Sequence, residues 1–262
     1  MAADTSDIVL ERVTKSYENG HRALGGLSLA VPRGSIMGFV GLNGAGKSTT
    51  IRLLAGLEHA DEGTVTVLGH PAMSRPPAVA ARIGFVLDDP FYFDWLSGRE
   101  YSIWTGMMYG LHRDVSERRT AELLALLDLP ADDRQLIGTY STGMKKKISL
   151  AAALIHAPSL LILDEPLEAV DAVAARTIKD ILTDLASRGA TVFITSHALD
   201  TVERFCTDVC IIHEGRIMVQ SPMASLADAV QPLLGEHAGS TLEENFVSLV
   251  APSSTRRRLS YV

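Results

Sequence analysis

The most informative segment of this chain is Gly41-Leu42-Asn43-Gly44-Ala45-Gly46-Lys47-Ser48-Thr49, which directly follows the apolar run 35–40. It matches the pattern G-x-x-x-x-G-K-S/T, in which a strand passes through a glycine-rich loop into a helix. Such a loop points backbone N–H groups inward, and the helix adds the positive end of its dipole. Lys47 is expected to neutralise phosphate oxygens and Ser48 to ligate Mg²⁺. A tight connection alone could use these glycines, but the complete match predicts a nucleoside triphosphate site.

The composition suits a protein with a substantial core. The chain has 262 residues, of which 47% are hydrophobic, enough for one elaborated α/β domain or two smaller units. Its net charge of −7 argues against a general nucleic-acid surface, because phosphate backbones are recognised by clustered cations. Basic clusters occur only at 145–147 and 256–258. We therefore expect no nucleic-acid partner.

Neither the cysteines nor the apolar segments indicate secretion or a membrane span. Cys206 and Cys210 lack partners at metal-ligand spacing and are interpreted as buried apolar residues in a reducing compartment. The N-terminus has no basic or apolar region typical of a secretory signal. The longest uncharged stretch, 148–163, is broken by Pro158 and predicts a buried helix followed by a buried strand. We expect an intracellular protein whose membrane association is indirect.

Hydrophobic patterning predicts an antiparallel flap, an α/β core and a helical insertion. The alternating runs 8–13, 27–31 and 64–68 are typical of half-exposed strands, with a turn at 18–20. Continuous apolar runs predict four core strands, at 82–87, 160–163, 191–195 and 209–212. A helix is predicted at 173–187, before the strand at 191–195.

Two regions differ from this core pattern. From 88 to about 156 the periodicity is helical, as in 116–129. After Gly215 we expect a short strand and then polar helical segments. The tail beyond residue 251 is expected to be solvated, with a weak electrostatic contact to anionic lipid as the alternative.

A second motif narrows the chemistry. The run Leu160-Leu-Ile-Leu-Asp164-Glu165-Pro166 places two carboxylates at the end of a buried strand, where an α/β sheet presents its ligand site. Asp164 is expected to hold Mg²⁺ and Glu165 to polarise the attacking water. The pair could instead only cap a following helix, but the upstream phosphate loop favours catalysis.

With Tyr140-Ser141-Thr142-Gly143-Met144-Lys145 between these motifs, the chain resembles the ATP-binding-cassette (ABC) ATPases. The segment is similar to the family signature Leu-Ser-Gly-Gly-Gln. Val170-Asp171 and Thr195-Ser196-His197 fall where the family has its D-loop and switch histidine. The resemblance extends from Tyr17 to about Gln220 as a five-part ordered set.

The resemblance implies a P-loop, RecA-like α/β fold with an antiparallel β subdomain and an inserted helical subdomain. It implies an ABC ATPase domain over residues 1–220, with the helical subdomain at about 88–156, and a C-terminal extension over 221–262. ATP and Mg²⁺ are the implied cofactors. The nucleotide would be held by residues of the phosphate loop, namely Gly41, Asn43, Gly44, Ala45, Gly46, Lys47, Ser48 and Thr49.

Other site residues are implied by the same resemblance. Tyr17 matches the aromatic on which the family stacks adenine, and His197 the group that contacts the γ-phosphate or attacking water. Ser141 and Gly143, at the start of an apolar helix, would contact the nucleotide held by another subunit. Asp171 would lie at the subunit seam.

Two residues depart from the family pattern. Thr142 replaces a glycine of the signature, where it can alter the close approach to nucleotide. Asp88 stands where many members carry a glutamine that ligates Mg²⁺ and water; a carboxylate can ligate Mg²⁺, with a shorter reach and an extra charge. Together with Tyr-Ser-x-Gly-Met-Lys, this acidic residue resembles the stand-alone cassettes that serve drug, antibiotic, bacteriocin or polysaccharide exporters.

Aromatic residues are concentrated directly after Asp88, in the segments 90–96 and 99–104. They predict either the core of the helical insertion or a docking surface. The resemblance favours docking for some of them, because this region of the family meets the membrane subunit.

We therefore predict an ATPase that dimerises head to tail, as a homodimer or heterodimer, and drives a separate integral membrane permease. It would lie at the cytoplasmic face of the membrane as a peripheral subunit. The alternatives are an importer cassette or a soluble, non-transport ABC ATPase. A GTPase or small-molecule kinase is disfavoured, because the chain has no guanine-reading motif and nothing resembling an acceptor site.

Overall fold

The computed structural model describes residues 6–88, 90, 92–131 and 135–250. Asp89, Phe91, the N-terminal residues 1–5 and the predicted basic tail 251–262 lie outside the described residues. The strands are β1 (Ser6–Ser16), β2 (Arg22–Pro32), β3 (Ile36–Val40), β4 (Glu62–Val67), β5 (His70–Pro71), β6 (Ile83–Val86), β7 (Leu160–Leu163), β8 (Thr191–Ser196), β9 (Asp208–His213) and β10 (Arg216–Pro222). The α-helices are α1 (Lys47–Ala55), α2 (Pro77–Ala80), α3 (Gly98–Met108), α4 (Arg113–Leu126), α5 (Thr142–Leu154), α6 (Ala172–Ser187), α7 (Leu199–Phe205), α8 (Leu226–Leu234) and α9 (Leu242–Val250).

The smaller sheet is the predicted antiparallel flap. Its strand order is β2-β1-β4-β5, and β1 pairs antiparallel with both β2 and β4. The alternating runs thus form strands, as predicted, although β1 and β2 are longer than the sequence pattern indicated. Their inward residues, among them Ile8, Leu10 and Leu29, are buried in one of the two hydrophobic clusters.

The larger sheet forms the α/β core and has the order β10-β9-β3-β8-β7-β6. All of its pairings are parallel except that of β10 with β9. Strands β3, β7 and β8 are buried along their whole length, which explains their continuous apolar sequence. Because the parallel strands share one direction, their carboxyl ends meet at one edge, and the predicted fold class is confirmed.

The predicted helical insertion contains α3, α4 and α5. Helix α3 begins with a complete capping box between Ser97 and Glu100. Helix α4 ends at Leu126, so the helix predicted over 116–129 is too long; Asp128 takes a positive φ of 50°, and Leu129 is buried after the helix. Helix α5 and β7 confirm the buried helix and buried strand predicted over 148–163.

The last helices are amphipathic, and the prediction of polar segments is wrong. They bury one apolar face in the main hydrophobic cluster through Leu226, Val230, Leu242, Phe246 and Val250. Helix α8 contacts β10, and α9 contacts α7. The boundary predicted at residue 220 falls inside β10, so in the structure 221–250 share their core with the preceding residues.

Both cysteines are buried and free, as predicted. Burial raises the pKa of the Cys206 thiol to about 12 and also raises the pKa of Cys210. Within the described part of the chain, no helix combines the length and the apolar character needed to cross a bilayer.

Candidate active site

The glycine-rich loop joins the end of β3 to the start of α1. Gly46 precedes the helix with φ 110°, a backbone conformation that side chains rarely adopt. A β-carbon there would lie 2.7 Å from Leu24 Cδ2 and 2.8 Å from the Ala23 carbonyl oxygen. The loop therefore depends on glycine at this position for both its conformation and its close packing against β2.

Lys47 is buried within this loop. Its Nζ donates a hydrogen bond to the Gly41 carbonyl at 2.7 Å. Ala45 is buried beneath the loop, whereas Ser48 is exposed on its surface. The ammonium is thus already held beside the loop, and the serine hydroxyl faces the solvent side.

Asp164 and Glu165 follow β7 and are joined by a hydroxyl from the neighbouring strand. Thr195 Oγ1 donates to Asp164 Oδ1 at 2.5 Å and accepts from the Glu165 backbone N–H at 3.0 Å. Burial raises the pKa of both carboxyl groups. Glu165 also adopts a positive φ of 45°, a conformation that costs free energy in a non-glycine residue and is common at functional sites.

His197 follows β8 and holds the Glu165 side chain. Its Nδ1 lies 3.0 Å from Glu165 Oε2, and its backbone N–H donates to the same oxygen at 3.3 Å. The Glu165 side chain is 14% exposed and that of His197 61% exposed. This pair gives the carboxylate a fixed direction while leaving the imidazole accessible.

Tyr17 lies after β1 and is fixed through its hydroxyl. The hydroxyl donates to Glu58 Oε2 at 2.9 Å and lies 3.1 Å from Thr49 Oγ1. Lys15 Nζ lies 5.8 Å from the centre of the ring. The ring is therefore held partly exposed beside α1, where an aromatic base can stack on it.

These groups line one cleft of about 1060 Å³, slightly above the usual range for ligand sites, roughly 300–1,000 Å³. Most predicted site residues meet there: Tyr17, Gly41, Asn43, Gly44, Gly46, Lys47, Ser48, Thr49, Asp88, Asp164, Glu165 and His197. The convergence follows from the parallel sheet, since β3, β6, β7 and β8 all end at this edge.

Four predicted residues do not line the cleft: Ala45 is buried, and the other three lie elsewhere. Ser141, Gly143 and Asp171 line a separate groove of about 440 Å³. Ser141 caps α5 by accepting from the Met144 N–H at 3.2 Å, and Asp171 caps α6 by accepting from Val173 and Ala174. Those bonds, the Ala174 N–H first, lower the pKa of Asp171. One copy of the chain thus carries its predicted site residues in two separate pockets.

Gly143 and Thr142 differ in how closely they are packed. A β-carbon on Gly143 would lie 2.8 Å from the Ala169 carbonyl oxygen, so the groove requires glycine there. The Thr142 side chain is exposed at the first position of α5 and meets no such restriction. The threonine is therefore tolerated by the fold of the single chain.

Comparison with known proteins agrees with this architecture. The family model for ABC transporters matches residues 24–168. The bacitracin transport ATP-binding protein BcrA of Bacillus licheniformis is 34% identical over 215 residues, which cover 82% of this chain and 69% of BcrA. The daunorubicin/doxorubicin resistance ATP-binding protein DrrA of Streptomyces peucetius is 35% identical over 229 residues, which cover 87% of this chain and 68% of DrrA.

A solved ATP-binding subunit of an ABC transporter is also similar, with a TM-score of 0.83 at 28% identity, covering 92% of this chain and 98% of that one. This chain belongs to the ABC transporter family. It is an ATP-binding and ATP-hydrolysing cassette, as its ordered motifs predicted.

The donor set of the cassette fits magnesium. Ser48, Asp164 and Asp88 offer hydroxyl and carboxylate oxygens along the cleft. Among the described residues, no group of three or more His, Cys, Asp or Glu side chains converges as a metal site. Mg²⁺ suits such a sparse set, because it commonly takes one or two carboxylates and completes its coordination with phosphates and water.

Sequence reasoning missed three residues that organise the cassette. Thr195 links the Asp164 carboxylate to the Glu165 backbone N–H, Glu58 fixes Tyr17, and Lys146 forms an ion pair with Asp88 at 3.4 Å. Of these, only Thr195 left a local signal, as a polar residue next to the end of a fully buried strand. The other two depend on contacts across 41 and 58 residues of sequence.

Proposed function

We propose that this cassette drives export through a separate membrane permease by closing, with Mg²⁺ and ATP, into a head-to-tail dimer. The observation that carries the proposal is the separation of the two surfaces. The cleft holds the phosphate loop and the carboxylates, whereas Ser141, Gly143 and Asp171 lie in the other groove. A second copy turned end for end would bring each groove to the partner's cleft, and either a homodimer or a heterodimer satisfies this geometry.

The cleft of one subunit would bind the nucleotide. Tyr17 would stack on adenine, and the N–H groups of the loop and the Lys47 ammonium would neutralise the phosphates. Ser48 and Asp164, with Asp88 beside them, would hold Mg²⁺, which supplies charge neutralisation for the phosphoryl oxygens.

Hydrolysis would depend on the Glu165 and His197 pair. Burial raises the pKa of Glu165, which suits a carboxylate that accepts a proton from the attacking water. The imidazole, directed by its 3.0 Å contact with Glu165, remains accessible to donate to the γ-phosphate or the water. Loss of the γ-phosphate would weaken the bridge between the subunits, and the dimer would reopen.

The helical insertion offers a surface for the permease. Large apolar side chains are exposed there, including Trp95 (67%), Trp104 (43%), Met107 and Met108. Phe93 joins the two tryptophans, with ring centroids 5.3 Å and 5.0 Å away. A preassembled aromatic and methionine face of this kind is typical of a protein docking site. Attachment to the membrane would then be peripheral, on its cytoplasmic side.

Export is favoured over import by the named relatives, which are proteins of bacitracin transport and of daunorubicin/doxorubicin resistance. The cargo would accordingly be a drug, antibiotic, peptide, lipid or polysaccharide, selected by the permease. Co-purification of an integral membrane protein with the native cassette tests the transport role. Recovery of the cassette solely with soluble partners would favour a non-transport ABC ATPase, and uptake by the reconstituted complex would favour an importer.

The Glu165→Gln substitution tests the dimer. It removes the proton acceptor but keeps the side-chain shape, so we expect the variant to bind ATP and accumulate as a dimer. Gel filtration with ATP and with ADP measures this, and the Lys47→Ala, Glu165→Gln double variant, which should bind nucleotide poorly, is the control. A monomer at ATP concentrations far above the measured affinity would contradict the proposal.

A further inference from the structure

Lys146 and Asp88 connect the helical insertion to the nucleotide cleft. Lys146 lies on α5, and its Nζ is 3.4 Å from Asp88 Oδ1 just beyond β6. The lysine side chain is 8% exposed, whereas that of Asp88 is 61% exposed. Within the described residues, Asp88 is the one carboxylate within 4.0 Å of this ammonium. A buried ammonium needs such a partner, because burial without one is costly.

Asp88 faces two spaces at once. It lines the main cleft together with Asp164 and Glu165, and it lines a neighbouring cavity of about 450 Å³ together with Lys146. The Lys146 ammonium carries the charge opposite to that of the Asp88 carboxylate, which it meets at 3.4 Å beside the cleft that Asp164 also lines. The two charges therefore act in opposite directions on the same part of the cleft.

The lining of the cleft carries more carboxylates than cations, with Asp88, Asp164, Glu165 and Glu168 against Lys47 and Arg52. Asp88, Asp164 and Glu165 line the end at which the proposed site would place the γ-phosphate, and Lys47 is held on the Gly41 carbonyl. A carboxylate at position 88 without a counter-charge would repel a triphosphate more than a diphosphate, since only the former adds charge at this end of the cleft.

We propose that Lys146 is a positioning residue that holds Asp88 toward α5 and offsets its charge, so that the cleft keeps its preference for a triphosphate. This rests on the proposed nucleotide site and adds to it a residue of the helical insertion. Ser141 is the N-cap of α5, the helix that contains Lys146. The ion pair between Lys146 and Asp88 therefore also connects the nucleotide cleft to the helix whose start lines the second groove.

The test is the ratio of ATP to ADP affinity, measured without Mg²⁺ in the Glu165→Gln background. The two nucleotides compete with a fluorescent ATP analogue at a protein concentration too low for dimer formation. We expect Lys146→Gln to lower the affinity for ATP about fivefold and the affinity for ADP less than twofold, the size expected for the loss of one partly screened charge. Lys146→Arg should keep the ratio, and Lys145→Gln, which removes the same charge one residue away, should leave it unchanged.

The Asp88→Asn variant approaches the pair from the other side. Without the carboxylate, the ratio of ATP affinity to ADP affinity should equal or exceed that of the parent protein. Adding Lys146→Gln to this variant should no longer lower the affinity for ATP selectively. An equal loss of ATP and ADP affinity, or the same loss in the presence and absence of Asp88, would overturn the proposal and make Lys146 a purely structural residue. Should the parent chain bind neither nucleotide, the proposed nucleotide site itself would fail instead.

Discussion

Removal of one hydroxyl, in Thr195→Val, should uncouple the two acidic residues while leaving the core filled. Thr195 is fully buried, donates to Asp164 at 2.5 Å and accepts from the Glu165 N–H at 3.0 Å. A hydrogen bond to a charged group contributes about 1.5–3 kcal/mol, and a neutral one about 0.5–1.5 kcal/mol. Because valine has nearly the same shape, we expect the free energy of unfolding to fall by about 2–4 kcal/mol, without a cavity contribution.

The same substitution should slow ATP hydrolysis beyond its effect on stability. The Asp164 carboxylate and the Glu165 backbone would lose their common anchor, and loss of such an orienting partner typically costs about 10–100-fold in activity. Urea unfolding gives the stability, and steady-state ATPase assays at a temperature where every variant is folded give the turnover.

Thr191→Val is the matched control, because it lies at the other end of the same strand. Thr191 donates to the buried Asp7 at 2.5 Å, so its loss should cost comparable stability. It is remote from the cleft and should leave turnover nearly unchanged. If both valine variants showed the same turnover, the idea that Thr195 positions the Asp164 carboxylate and the Glu165 backbone would be refuted.

Two further outcomes are expected. Tyr17→Phe keeps the ring but loses the hydrogen bonds of the hydroxyl to Glu58 and Thr49. Nucleotide affinity, measured by fluorescence titration, should therefore fall about two- to fivefold. An unchanged affinity would show that the hydroxyl does not position the ring. Burial lowers the pKa of His156 to about 4. Between about pH 6.5 and pH 4 this histidine is therefore protonated in the unfolded chain but neutral in the folded one. The free energy of unfolding should therefore fall as the pH drops from about 6.5 toward 4. His156→Phe retains a ring to stack on Tyr109 and should show a smaller fall, as measured by urea unfolding at several pH values. Equal pH dependence of the two proteins would contradict this assignment.

Contiguous motifs were predictable because their chemistry is local. Residues 41–49 specify a strand, a loop and a helix within nine positions, and the apolar run before Asp164 requires a strand buried on both faces. The C-terminal helices were predicted less well. The buried faces of α8 and α9 were missed although their apolar residues recur every four positions, at 226 and 230 and at 242, 246 and 250, a pattern that the sequence does show. Only the structure shows that these faces pack against β10 and α7.

The sequence by itself determined the fold class, the phosphate loop and the order of the acidic and switch residues, since each is encoded by neighbours along the chain. Only the tertiary structure decided that Thr195 joins Asp164 to Glu165, that Lys146 pairs with Asp88, and that Ser141 faces a groove apart from the cleft. These relations depend on strand order and on the placement of α5, which bring together residues 31 to 58 positions apart. Burial then makes such contacts decisive, because a charged or polar group removed from water must find its partner in the protein.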